Sequence, residues 1–358
     1  MMSIPVKIFA FLSLCCIGAF SGWQGSTTDA FSSDTGQGTR YVASATAADT
    51  ATPDKSAGAS FTGITDSLSS SGPTAYSEET WPLISIHMTT AGTVSAKPVA
   101  VAILDTGIDA NHEELAGKVI VEKCFVDGCD TEDILGHGTF IAGIIAASDE
   151  NNTGTEGLAP NSRLMNIKVA DDKGRCRQSD LIEGIIWAAD NGAQVINISI
   201  ELHEYTSALQ EAIDYAWDSG ALIIAAAGND GNSVPVYPAA LEHCLSITGI
   251  DEAGKRAPLA NFGDWVDAAA PGFRIYGIMP EDTYGYQHGT SFATAYASGL
   301  AARLFAVATD SNGNGKLNDE VLEAILAGCR ELPLEGTGNG LIDVIASEEY
   351  LVTPSRLN

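Results

Sequence analysis

The sequence predicts an α/β protein with a mainly parallel central sheet packed between layers of helices. Two observations carry that prediction. From about Trp81 onward, short apolar runs alternate with helical segments. Two of those helical segments stop at a glycine, Gly192 and Gly220, the residue that most easily closes a helix C-terminus. Strand and helix alternating in this way imply parallel strands with both sheet faces covered.

The elements follow in order. "PVAVAILDTG" reads as a strand ending at Asp105, and "GTFIAGIIAAS" is helical and rich in small residues. "RLMNIKVAD" is a strand, and "SDLIEGIIWAADNG" is an amphipathic helix closed by Gly192. "AQVINISI" is a strand, followed by a second capped helix in "SALQEAIDYAWDSG". "ALIIAAAGN" and "CLSITGID" are further strands, and a long small-residue helix follows Ser291 in "HGTSFATAYASGLAARLFA". In open parallel sheets, ligands bind beyond the carboxyl ends of the strands. Asp105 and Asn229 stand at such ends.

The chain has 358 residues, enough for one large domain or two average ones, and 45% of them are hydrophobic, which permits a sizeable core. The formal net charge of -28 argues against nucleic-acid or anionic-membrane binding, since like charges repel. Residues 1–21 read as a secretory signal peptide. Lys7 is their only charge, the apolar run Ile8–Phe20 is too short to span a bilayer, and Ala19 and Ser21 fit a cleavage site. The stretch ending at Cys15 has a lipoprotein-like form, but Leu14 stands where such signals carry a small residue. Secretion is therefore the expectation, with a lipid-anchored cell-surface form as the alternative. Residues 22–79, rich in Ser, Thr, Ala, Gly and Asp, read as a disordered linker or pro-segment. The ordered domain is placed at 80–350 and a C-terminal tail at 351–358. Loss of the signal leaves Cys124, Cys129, Cys176, Cys244 and Cys329. The number is odd, so at least one thiol stays free or pairs with another molecule; Cys124 and Cys129 are the nearest pair.

Four residues carry candidate chemistry. Asp105 ends a strand, His137 lies in "GHGTFIAG", Asn229 in "AAAGNDG" and Ser291 in "GTSFA". Each alone has an ordinary reading: a turn aspartate, a structural histidine, a turn asparagine, a helix-capping serine. Together they form a relay. Ser291 Oγ would attack a carbonyl carbon, His137 would take and return its proton, and Asp105 would hold the imidazole. Asn229 would donate to the developing oxyanion beside the Ser291 N–H.

With those residues in place, the chain resembles the subtilisin-like serine peptidases, the subtilase family. "AILDTGID", "GHGTFIAGIIAA" and "GTSFATAYASG" are similar to the family's Asp, His and Ser motifs, and "AAAGNDG" to its oxyanion-Asn segment. The order Asp, His, Ser is that of subtilisin. "GLAPNSRLMNIKV", "VYPAA" and "ANFGDWVDAAAPG" agree as well. The resemblance implies a three-layer α/β/α subtilisin-like fold and a secreted serine endopeptidase. It implies Asp105, His137 and Ser291 as catalytic residues, Asn229 as oxyanion donor, and no cofactor for the chemistry. The implied partners are protein or peptide substrates of a monomer that binds no nucleic acid and spans no membrane.

Departures from the family pattern leave two alternatives: a narrow-specificity maturation protease, or a catalytically weak binding protein. Relatives usually read Ser-Leu-Gly-Gly where this chain has Ser199, Ile200, Glu201 and Leu202. Ser199, Ile200, Glu201 and Gly228 are the expected substrate-cleft residues, and an acidic Glu201 there would favour Lys or Arg in the substrate. Relatives carry Pro-His where this chain has Ala295 and Tyr296, a change expected to affect packing only. In some relatives a calcium ligand matches Glu114, and the loop "SDENNTG" with Asn152 would complete a structural calcium site. The loop from Asp310, "DSNGNGKLNDE", has the spacing of a calcium loop but Val321 where a bidentate acid is needed. It is expected to be a Gly/Asn loop with Asn318 capping the next helix.

Overall fold

A computed structural model describes residues 80–88, 97–128, 130–148 and 155–352. The expected signal and linker, and Asn152 and Cys129, lie outside the described residues. The elements run in chain order α1 (Trp81–Ser85), β1 (Ala100–Asp105), β2 (Val119–Cys124), α2 (His137–Ala146), β3 (Arg163–Lys168), α3 (Gln178–Asp190), β4 (Val195–Ile198) and α4 (Ser207–Asp218). They continue with β5 (Leu222–Ala226), β6 (Cys244–Ile250), β7 (Ala268–Pro271), β8 (Ile275–Met279), β9 (Thr283–Gln287), α5 (Thr290–Val307), α6 (Asn318–Gly328) and α7 (Val344–Val352).

Seven strands form one sheet in the order β2-β3-β1-β4-β5-β6-β7, and each neighbouring pair is parallel. The strand order turns back at β1, with β2 and β3 on one side and β4 to β7 on the other. Such a reversal opens a crevice at the carboxyl ends of the central strands. The sheet separates two cores. Along β1, Val101 and Ile103 enter the core of α2 and α5, while Ala102 and Leu104 enter that of α3 and α4. Along β5, Leu222 and Ile224 face the first core, Ile223 and Ala225 the second. The period of two is present, but both faces are apolar because both are covered. The layers are therefore helix, sheet, helix, in agreement with the expected three-layer architecture.

α5 is buried from Thr290 to Phe305, and every residue of α2 is buried. A helix enclosed on all sides has no polar face to offer. This explains the Ala, Gly, Ser and Thr content of α5, which packs against α2 and against β4, β5, β6 and β7. The T-shaped contact between Phe140 and Phe292, 4.8 Å between ring centroids, joins the two helices near their first turns.

Some elements were not legible from the sequence. β2 is half-exposed and polar, and β7 is the edge tetrapeptide "AAAP", whose proline suits only a strand edge or end. β8 and β9 form an antiparallel hairpin closed through Glu281 and Asp282, both with positive φ. Asn318 corrects an expectation. Its side chain does not cap α6; Nδ2 donates to the carbonyls of Trp217 and Ala221, tying α6 to the end of α4. Cys124 is disulfide-bonded, while Cys176, Cys244 and Cys329 are free thiols. Burial holds the Cys244 thiol well above its usual range.

Gly299 marks how closely α5 approaches its neighbours. A Cβ there would lie 2.7 Å from Leu158 Cβ, an atom that cannot swing away. Helix propensity alone would favour Gly299→Ala by about 1 kcal/mol, whereas overpacking costs about 1–3 kcal/mol. We expect the steric cost to win, with Tm lower by roughly 2–6 °C. A thermal scan showing an unchanged or higher Tm would contradict this packing.

Candidate active site

β1 delivers Asp105 to the crevice, fully buried. Its Oδ1 accepts the Thr106 N–H at 2.7 Å and faces His137 Nδ1 at 2.7 Å. His137 is the first residue of α2. The glycine after it matters sterically, because a Cβ at position 138 would lie 2.1 Å from the Gly107 carbonyl oxygen. Only glycine lets the first turn of α2 settle against the loop that follows Asp105.

Asp133 holds that turn in place, and the sequence reading passed over it. Its buried carboxylate accepts from Gly136 N–H, Thr139 N–H, Thr139 Oγ1 and Thr106 Oγ1, all at 2.7–2.8 Å. An anion at a helix N-terminus satisfies orphan amides and the helix dipole together. An aspartate a few residues ahead of an apolar helical run was the available signal. Lys168, paired in register with Asp105, is also fully buried. Its ammonium donates to the Thr106 carbonyl, the Glu132 carbonyl and Asp172.

Burial opposes charging of His137, but the Asp105 charge, its hydrogen bond and the nearby Asp133 outweigh it. The imidazole pKa is raised above its ordinary value of 6.5.

Ser291 is the second residue of α5, with Gly289 as the N-cap. It is buried, and the neighbouring Phe292 ring lies 5.6 Å from the His137 ring. Asn229 follows β5 in the loop 227–231. Its Oδ1 accepts the Thr290 N–H at 3.0 Å, and the Gly228 N–H donates to Thr290 Oγ1 at 3.1 Å. Thr290 thus ties the Asn229 loop to the first turn of α5. Asn261 braces the loop from behind, accepting from Asp230 N–H at 2.9 Å and Asn232 N–H at 3.2 Å. Neither Thr290 nor Asn261 carried a sequence signal of its own beyond lying in a recognised segment.

The described residues include all four of the expected cleft residues. Ser199 Oγ donates to the Ser291 carbonyl at 3.4 Å, and Ile200 is fully buried. Glu201 is 6% exposed, and its Oε2 accepts the Asn229 N–H at 3.1 Å beneath Gly228. A preference for basic substrates presupposes an open, ionised carboxylate. This one points inward, and burial together with Asp230 raises its pKa to about 7.

A model of the subtilase family matches residues 96–328. Over 226 residues, 63% of this chain, the sequence is 40% identical to a thermophilic serine proteinase of Bacillus sp. (strain AK1), of which the match covers 55%. It is 41% identical to thermitase of Thermoactinomyces vulgaris over 57% of this chain and 74% of that protein. Subtilisin DY of Bacillus licheniformis is 38% identical over 62% of this chain and 81% of its own length.

The Asp105–His137 contact has a spectroscopic consequence. In a protein labelled with 15N-histidine, the His137 ring should titrate with a midpoint above 6.5. In Asp105→Asn the two largest raising influences are removed, so the midpoint should fall below that of the native protein. A midpoint unchanged by the substitution would show that Asp105 does not govern the ring.

Proposed function

The chain belongs to the subtilase family of serine-type endopeptidases, and from that premise we propose that it is a secreted serine endopeptidase. In this reading it hydrolyses peptide bonds through an acyl-enzyme formed on Ser291. One observation supports the assignment most strongly. Ser291 Oγ, His137 Nε2 and Asn229 Nδ2 are all buried and lack a hydrogen-bond partner. Buried polar atoms are nearly always satisfied, and leaving one bare costs about 1–3 kcal/mol. These three bare atoms are the ones that nucleophile, base and oxyanion donor would use.

The roles follow from the geometry. Asp105 accepts from His137 Nδ1–H, so that Nε2 is the basic nitrogen. Nε2 takes the Ser291 proton as Oγ attacks, then returns it to the leaving amine. The oxyanion receives Asn229 Nδ2, whose orientation is set because Oδ1 is engaged by Thr290. The Ser291 N–H, in a first helical turn with no intrahelical acceptor, is the second donor. This chemistry needs no cofactor. Because the base must be neutral, activity rises as pH rises through the elevated His137 pKa.

Export is supported by the signal-like pattern of residues 1–21. Among the described residues, no helix is long and apolar enough to cross a membrane.

Structural calcium at Glu114 also fits the residues present. Glu114 is fully buried; Oε1 accepts from Tyr284 Oη at 3.1 Å, and Oε2 has no partner. Its carbonyl accepts the Ser148 N–H, which brings the start of the 148–154 loop beside it. A buried, uncommitted carboxylate oxygen suits a hard cation.

A fluorophosphonate probe should label the native protein and not Ser291→Ala. If a known subtilisin is labelled in the same buffer and this chain is not, the enzyme reading fails and a binding role remains. Loss of one oxyanion donor, with the asparagine of subtilisin as the reference case, costs about 10²–10³ in turnover; Asn229→Ala should lose as much on a peptide substrate. For calcium, binding at a hundredfold excess over Kd stabilises by about 2.7 kcal/mol. EDTA should therefore lower Tm by roughly 5–10 °C, and Glu114→Gln should abolish the difference. Equal Tm with and without calcium would dismiss the site.

A further inference from the structure

Glu201 occupies an unusual position for an acid. The residue after it is held by the reciprocal bridge between Leu202 and Tyr237, both bonds at 2.8 Å. The side chain then turns beneath the loop that carries Asn229. Gly228 has a φ of +92°, and a Cβ there would lie 2.6 Å from Glu201 Oε2 and 2.6 Å from Asn261 Nδ2. The carboxyl fills the space that a side chain at 228 would take. From there Oε2 accepts the Asn229 N–H at 3.1 Å. Asn229 is thus held from two sides, by Thr290 at its side-chain oxygen and by Glu201 at its backbone nitrogen.

The groups facing Glu201 are few. Asp230, from the same loop as Asn229, brings a carboxylate oxygen within 4.8 Å of one of Glu201's own. A second carboxyl group at this range disfavours ionising the buried Glu201. His203 Nε2 lies 3.9 Å from Oε1 and is partly exposed. Asn261 adds a neutral amide. Ionisation of Glu201 therefore adds one negative charge beneath the oxyanion loop.

We propose that Glu201 is a positioning residue for the oxyanion loop: its carboxyl fixes the Asn229 backbone, and the proton it keeps beside Asp230 holds a further negative charge away from the developing oxyanion. The inference rests on Asn229 being the oxyanion donor. Glu201 loses its proton near neutrality, where burial and Asp230 hold its pKa at about 7. Turnover should then decline on the alkaline side, opposing the rise due to His137. A second charge several ångströms from the oxyanion, only partly screened, is expected to slow turnover roughly tenfold.

The test is kcat and KM on one neutral peptide substrate from pH 5 to 10, with active sites counted by fluorophosphonate titration. Glu201→Gln retains an acceptor for Asn229 and a donor for Asp230 but cannot ionise. It should lack the alkaline decline and exceed the native kcat roughly tenfold at pH 9–10. Glu201→Leu removes the acceptor and should lose roughly tenfold or more in kcat at every pH, with KM changed less than twofold. A Glu201→Gln profile that overlays the native one overturns the proposal, as does native kcat in Glu201→Leu. If Glu201→Leu does not fold, the comparison of Glu201→Gln with the native profile decides alone. Asn229→Ala is run in parallel. Full activity in that variant overturns the oxyanion reading itself, whereas a 10²–10³ loss there with a native-like Glu201→Gln profile overturns only the role of Glu201.

Discussion

The enclosure of α5 on every side is the constraint on which the rest of the structure depends. A helix with no solvent face must be built from small residues, and its neighbours must approach it closely. That is why Gly299 lies against Leu158 and why the α2 and α5 aromatics interlock. It also places the polar first turn of α5 in the interior, among the carboxyl ends of the central strands. There the amide and hydroxyl of Thr290 and the carbonyl of Ser291 need partners, and Asn229, Gly228 and Ser199 are the residues that meet them. The tying of α5 to the 227–231 loop is thus a consequence of burying a helix start.

The electrostatics follow the same logic. The chain is strongly acidic as a whole, yet several of its interior charges are held by named partners. Asp133 is saturated by four donors at the start of α2. Lys168 is spent on two carbonyls and Asp172 next to β1. Glu201 accepts the Asn229 N–H. The buried atoms without a partner include Ser291 Oγ, His137 Nε2 and Asn229 Nδ2. Strain of this kind is retained where function uses it and is offset by packing elsewhere.

Legibility from sequence varied with the range of the physics involved. Asp105, His137, Asn229 and Ser291 were visible because each sits in a local pattern of strand end, glycine and helix start. Asp133 was legible in principle as an acid ahead of a helix, but nothing local said that it would also bind Thr106 from another segment. Thr290 and Asn261 act across separations of 61 and 31 residues, onto the loop around Asn229. No periodicity records such a contact. The β8–β9 hairpin escaped notice because its strands are half-buried and glycine-containing, and Asn318 was misread because a capping residue and a residue bonded to a neighbouring helix look alike in one dimension.

By itself the sequence determined the class of fold, through runs of apolar residues at strand length, glycine helix stops and one all-small helix. It singled out the candidate reactive side chains as well, since those residue types stand in patterned local contexts. Only the tertiary structure decided how they are held and where Glu201 points. A side chain next to a cleft segment can face the substrate or the protein, and the period of a strand does not continue past its end. The direction was set by the glycine at 228, whose missing Cβ leaves space for the carboxyl, and by an amide of Asn229 in need of an acceptor.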